Sequence, residues 1–258
     1  MNPAQGLART WTAAWSEALA NRQGFAAQMA VMATNDLAWV VFWVLFFNRV
    51  GSLRGWDGPR VLVLFSVVAT TAGIVLGALA NARQISELAA TGGLDPMLAL
   101  PLPTLPYLLC RRVSPISLGD VAFGLALFLA VGHPTPARLA LFSFGVVCGS
   151  LALLGFLVLV GSLVFWIGPT QASELGLTGA TIFAMYPIDV FGGPLRLILY
   201  GVVPAALVGS LPARLIDHPG PGPATGLALG AVAFALAGTV TFNRGLRRYT
   251  SGASWTDA

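Results

Sequence analysis

An all-α protein threaded through a lipid bilayer is predicted by two properties of this chain. Charged residues make up only 9% of its 258 residues and hydrophobic ones 56%, with a mean hydropathy of +0.79, whereas soluble domains carry about 25% charged residues. Uncharged runs at 61–80, 139–167 and 225–242 reach or approach the ~20 apolar residues that a helix needs to cross a hydrocarbon core of about 30 Å. A fourth run, 25–47, carries one charge, Asp36. With no water to solvate the backbone, helices are the natural spanning element.

Residues 1–24 place Leu7, Trp11, Trp15 and then Ala18 or Leu19 at spacings of three and four, with Arg9, Glu17 and Arg22 elsewhere on the wheel. That pattern predicts an amphipathic helix in the headgroup plane, where Trp rings are well placed. The stretch has no secretory-signal pattern, so the first span is expected to be retained. Span one covers 25–47 and span two 61–81, joined by a short, turn-rich "NRVGSLRGWDGPR".

Segment 82–112 is far longer than a tight turn requires. Arg83 and Glu87 against Ile85 and Leu88 give a short helix one polar and one apolar side; Gly92 and Gly93 end it. After Leu94, Asp95 is expected to cap a second helix that has Pro96 at its first position. Such a two-part element fits docking to a partner; a membrane-surface loop without a partner is the alternative.

Span three, 114–131, is interrupted by Pro115, Gly119 and Asp120, the last expected as a helix-start residue near Arg111 and Arg112. Span four is 139–167. Beyond Gly168 and Pro169, Thr170 is suited to cap a fifth span over 171–188, with Ser173 and Glu174 in its first turn. Region 191–216 is punctuated by Pro194, Pro204 and Pro212, and its 15 apolar residues, 197–211, fall short of a crossing, so a hairpin dipping into one leaflet is expected. A loop leads to span six at 224–242, and 243–258 forms a tail.

Six crossings put both termini and segment 82–112 on one side. All fourteen basic residues are Arg; eight fall on that side (9, 22, 83, 111, 112, 244, 247, 248) and six opposite (49, 54, 60, 138, 196, 214), which points to the first side as cytoplasmic. Scattered between spans, these residues read as topology signals and headgroup anchors rather than a nucleic-acid surface. Small residues at four-residue spacing (Ala69, Gly73, Gly77; Gly145, Gly149; Gly226, Gly230) predict close helix contacts. The two halves show no internal repeat.

Catalysis in this chain is not expected. His133 and His218 are the only histidines and both lie beside Pro, Cys110 and Cys148 have no CxxC spacing, and no GxxxxGK[ST] motif exists in a chain without Lys. No metal site is indicated. Asp36, beside Asn35 in span one, costs about 2.5–3.5 kcal/mol to insert as an ion, so it should face protein or water. Asn35 and Asp36 are therefore candidates either for a path attracting cations or, for Asp36, as a buried hydrogen-bonding partner between helices.

In this order and spacing the chain resembles the permease subunits of type-2 ABC exporters. "ISELAATGGLDPMLALPLPTLPYLL" (85–109) is similar to that family's coupling region, and "YPIDVFGGPLRLILYGVVPAALVGSLPARL" (186–215) to its fifth span and external re-entrant helices. In the latter, Pro187, Gly192, Gly193, Pro204 and Pro212 mark the hairpin. "GLRRYTSG" (245–252) resembles the ending of a branch whose permeases occur as non-identical pairs. The resemblance implies a second permease, two ATP-binding subunits that hold the ATP and Mg, and coupling through Arg83, Ile85, Glu87, Leu88, Gly92, Gly93, Leu94, Asp95 and Pro96. It also implies a multi-pass protein of the plasma (bacterial inner) membrane that exports drug-like or cationic toxic compounds. A non-ABC multispan protein, a secondary carrier or membrane scaffold, is the alternative.

Overall fold

The helices Gly58–Gly73, Pro115–Val131, Pro136–Ser162 and Pro221–Leu246 each begin with Pro in the first turn, and the first and third with a side-chain cap as well. The computed structural model describes residues 2–20, 22–168 and 172–249. Helix α1 is Pro3–Ala20 and α2 is Arg22–Val50. Two two-residue strands, Ser52–Leu53 and Trp56–Asp57, pair antiparallel around a turn in which Arg54 and Gly55 have φ of +49° and +86°. Helix α3, Gly58–Gly73, starts where Asp57 accepts the Arg60 backbone N–H at 3.0 Å. It runs into a π-helical turn, Ile74–Ala78, and a 3-10 turn, Ala80–Gln84.

The segment after span two contains α4 (Ile85–Ala90), α5 (Asp95–Leu98) and α6 (Thr104–Cys110). Helix α7, Pro115–Val131, meets α6 at 79°. Helix α8, Pro136–Ser162, is capped by Thr135, which accepts from the Arg138 N–H, and α9 is Val164–Ile167. Then come α10 (Ala172–Ala184), α11 (Gly193–Gly201), α12 (Leu211–Asp217) and α13 (Pro221–Leu246).

Four helices, 22–50, 58–78, 136–167 and 221–246, are long and apolar enough to cross a membrane, and up to six spans result if each of two bent pairs counts as one. The chain is thus an all-α membrane protein. At 1.5 Å per residue, α2 is about 43 Å long and α8 about 40 Å, whereas the 13 residues of α10 give only about 20 Å. In place of the expected fifth span, 171–188, stands a helix shorter than the ~20 residues a crossing needs. The Thr170 cap lies outside the described residues, as do the side chains of Ser173 and Glu174.

Helix α3 is the axis of the bundle: Val61–Gly73 is buried throughout, wrapped by α2, α7, α8, α10 and α12. Helix α13 lies along α8. Outward faces carry unsheathed apolar side chains, among them Leu37, Val41 and Leu45 of α2, Val147 of α8 and Leu229 and Leu236 of α13. Such a surface suits lipid rather than water.

Small residues set the closest approaches. A Cβ on Gly73 would stand 2.7 Å from Val121, and one on Gly77 2.8 Å from Leu118, so both let α7 onto α3 and the turn that follows it. Gly145 admits Pro212 and Gly230 admits Leu207 in the same way. Gly226 faces open space, so that half of the expected α13 pair makes no helix contact; α13 meets α8 instead through Gly238 against Gly155.

Candidate functional site

Three groups of residues stand out, at the two ends of the bundle and between α2 and α7. The first is segment 80–112. Its entry and exit are stitched together: the Ala80 N–H donates to the Arg112 carbonyl, the Ser114 N–H to the Gly77 carbonyl at 2.8 Å, Asn81 Nδ2 to the Leu108 carbonyl at 2.9 Å and an Arg112 guanidinium N–H to Gln84 Oε1 at 3.0 Å. The segment therefore leaves and re-enters the bundle as one rigid stirrup.

Inside the stirrup, Ile85, Ala89, Leu94, Met97, Leu105 and Leu108 are buried in one cluster with Val158, Val164, Phe165 and Phe242. Its apolar side is thus fixed to α8, α9 and α13. Gly92 takes the left-handed conformation (φ +77°) that ends α4, and a Cβ on Gly93 would stand 2.8 Å from Leu88, which is partly buried over it. Arg83, Glu87 and Pro96 are exposed, together with Leu98 and Leu100. The expected polar and apolar sides are both present.

One local expectation is corrected. Asp95 is the first residue of α5, with Leu94 at the cap position. Its carboxylate accepts from Tyr249 Oη at 2.7 Å, so it ties the tail of the chain to the stirrup. Phe165 stacks edge-on against both Phe242 and Tyr249, completing the joint.

The second group is a pair of acids. Asp36 and Asp120 are 4% and 5% exposed, and their carboxyls lie within hydrogen-bonding reach of each other, with Asn35 also on Asp36. Asn35 itself is exposed. Asp120 is therefore not a helix-start residue beside Arg111 and Arg112: it sits five residues inside α7, against α2. Asp36 Oδ2 and Asp120 Oδ1 are buried without a partner. At 1.5 Å per residue Asp120 stands about 8 Å along α7 from Pro115, and Asp36 is the middle residue of the 29-residue α2. Two acids inside apolar runs were the sequence signal for this contact.

The third group lies at the opposite end and was not anticipated. Asp189, in a 3-10 turn after Pro187, accepts from Trp56 Nε1 at 2.9 Å, from Arg196 at 3.0 Å and from Arg214, while its carbonyl accepts from Arg54 at 3.0 Å. Asp217 pairs with Arg138 at 3.0 Å and approaches Arg60 at 3.7 Å. Five of the six arginines at 49, 54, 60, 138, 196 and 214 thus gather around Asp189 and Asp217. Arg54, Arg60 and Arg214 border a cavity of about 420 Å³, with Asp189 and Asp217 also in its lining.

The network pins the chain around the hairpin. Pro187 is buried, Gly192 and Gly193 are exposed, and Gly193 has φ +58° where α11 begins. Pro204 is buried in the break between α11 and the 206–217 stretch, which meet at 69°. Pro212 opens α12 against Gly145. The stretch is thus two helices bent by 69° at a break, a shape shared by a broken span and a re-entrant hairpin.

Among the described residues no group of three or more His, Cys, Asp or Glu side chains could hold a metal ion. Residues 33–253 match the family model described as ABC-2 family transporter protein. No curated protein and no solved structure matches the chain.

Proposed function

We propose that this chain, which belongs to the ABC-2 transporter family, forms one side of an export path driven by ATP hydrolysis in separate subunits. It is a multi-pass permease of an ABC transporter. Two ATP-binding subunits, which hold the ATP and Mg, dock on the stirrup 80–112, and a second, non-identical permease completes the path. The stirrup, α1 and Tyr249 then face the cytoplasm, and the chain lies in the plasma membrane.

One observation carries the proposal: the stirrup is closed on itself by backbone and side-chain hydrogen bonds and is packed through Leu94, Met97 and Leu108 onto α8, α9 and α13. A push on its exposed face at Glu87, Leu98 and Leu100 cannot be absorbed by a slack loop, so it passes to two long helices. Leu98 and Leu100 are exposed apolar side chains on the segment that also carries the exposed charges Arg83 and Glu87, the mixed composition of a protein contact. Drug-like or cationic compounds are the proposed cargo, with Asn35 and Asp36 as path residues.

The test is co-purification. The tagged chain, expressed with a candidate ATPase and second permease, should retain the ATPase, and the double substitution Leu98→Asp, Leu100→Asp should release it while leaving the permease monodisperse. Labelling of Leu98→Cys, in a Cys110→Ser background, by an impermeant maleimide from outside intact cells would overturn the assignment.

A further inference from the structure

We infer that the arginine-lined cavity at the end opposite the stirrup is a binding site for a phosphate-class anion. Its charge is the first reason. Arg60, Arg138, Arg196 and Arg214 pair with only three carboxylates, Asp57, Asp189 and Asp217, and Arg54 reaches just the Asp189 carbonyl; in the cavity lining itself Arg54, Arg60 and Arg214 outnumber Asp189 and Asp217. Like charges held together near an apolar bundle favour a counter-ion.

The second reason is free donor capacity. A guanidinium offers five N–H donors in a planar fork that matches phosphate oxygens. Arg54 spends one donor on the Asp189 carbonyl. Arg60 spends one on the Gly55 carbonyl, and its Nε stands 3.7 Å from Asp217 and 4.0 Å from Asp57. Both line the cavity, as does Arg214, which lies over the Trp56 ring at 5.8 Å. The volume of about 420 Å³ is in the range of small-ligand sites.

The backbone adds a third reason. Arg54 holds φ +49° at the first central position of a two-residue hairpin turn, ahead of Gly55 at +86°, where Asn, Asp or Gly would be the ordinary choice. A long cationic side chain held in that conformation aims its guanidinium over Asp189 and the cavity mouth. Strain kept at one residue of a cleft is a mark of function.

Position narrows the source. Arg60 directly precedes the buried run that opens at Val61, and Arg138 precedes Leu139 of α8, so the cavity sits where apolar spans end and headgroups begin. The phosphate of an anionic lipid and a free or cargo-borne phosphate share the same chemistry here. This inference does not depend on the stirrup's docking partner.

The experiment titrates the full-length chain in neutral detergent with two probes, dihexanoyl phosphatidylglycerol and inorganic phosphate, against Arg54→Gly and Arg60→Gln. Arg54→Gly suits the left-handed backbone and should leave thermal stability unchanged or raised, so lost binding cannot be lost folding. Each substitution removes a charge-assisted bond and should weaken binding about tenfold or more. Binding of the lipid alone identifies a headgroup site; binding of phosphate as well identifies a site for soluble anions. If neither probe binds the native chain, or neither substitution weakens binding of either probe, the inference falls.

Discussion

Tyr249 Oη donates a 2.7 Å hydrogen bond to Asp95 Oδ1 across 154 residues of sequence. The bond joins the tail that follows α13 to the start of α5, so the stirrup is held on its inner side by packing and at its tip by a charge-assisted bond. The Phe165 ring lies against Tyr249 from α9, which keeps the phenol aimed.

Tyr249→Phe keeps the ring contact and deletes the bond to Asp95. A hydrogen bond to a charged acceptor contributes about 1.5–3 kcal/mol when well sheltered, and partial exposure of both residues lowers this to about 1 kcal/mol. The expected outcome is a fall in melting temperature of about 2–4 °C and faster amide exchange confined to 94–100. If the stirrup transmits force, ATPase activity in the assembled transporter should persist while export falls. Unchanged exchange at 94–100 would show that the tip is held by packing alone.

Asp36 of α2 and Asp120 of α7 are buried within hydrogen-bonding reach of each other. Asp36→Asn retains a donor for the Asp120 carboxylate, and membrane helix hydrogen bonds differ by only about 1 kcal/mol, so stability should barely change. Asp36→Ala strands the Asp120 carboxyl in a buried site and should cost about 2–3 kcal/mol. Thermal unfolding in detergent reads both. Export of a cationic compound reads the other role: loss in Asp36→Asn at normal yield assigns the pair to the path, and normal export leaves it as a helix clamp.

What the sequence made legible was local. Gly92-Gly93 and Asp95-Pro96 announce a break and a helix start by their own backbone chemistry, and Pro204 breaks the hairpin wherever it is packed. Contacts between distant residues were not legible in the same way. Asp189 meets Trp56 across 133 residues, and nothing in the turn "YPIDVF" indicates which arginines reach it. Asp120 reads as a helix start because Pro115 and Gly119 interrupt the run before it; α7 instead begins at Pro115 itself, which carries Asp120 more than a turn into the helix, against α2. Four-residue glycine spacing marks a smooth face but not the neighbour: Gly226 looks like Gly230 in sequence and faces nothing.

That contrast is itself testable. A Cβ on Gly155 would stand 2.5 Å from the Ala235 backbone nitrogen on α13, and backbone cannot swing aside as a side chain can. Gly155→Ala should therefore force α13 off α8 and cost about 1–3 kcal/mol. Gly226→Ala, inside α13 and unopposed, should stabilise by about 0.5–1 kcal/mol because alanine restricts the unfolded chain and favours helix. Melting temperatures of the two variants should move in opposite directions; a shared sign would mean that α8 and α13 are not packed through Gly155.

Asp189 is the one carboxylate that collects Trp56, Arg196 and Arg214, so its removal tests whether the arginine end is held as a unit. The arginine side chains are 39–42% exposed and the Asp189 side chain 16%, which screens the pairs and lowers the cost of Asp189→Ala to about 1–2 kcal/mol. Location matters more than size here. The stretch 192–202 is mostly exposed, whereas the turn 188–190 is also held by buried Ile188, whose N–H donates to Ser210 Oγ at 2.9 Å, and α12 by Pro212, Leu215 and Ile216. Protease cleavage should therefore rise between 191 and 203 while α12 stays protected. Because Asp189 neutralises part of the cluster, its loss should also tighten the site for inorganic phosphate as long as the arginines stay in place. Cleavage unchanged from the native chain would show that the hairpin is fixed by Pro204 and α12 without help from the ion pairs.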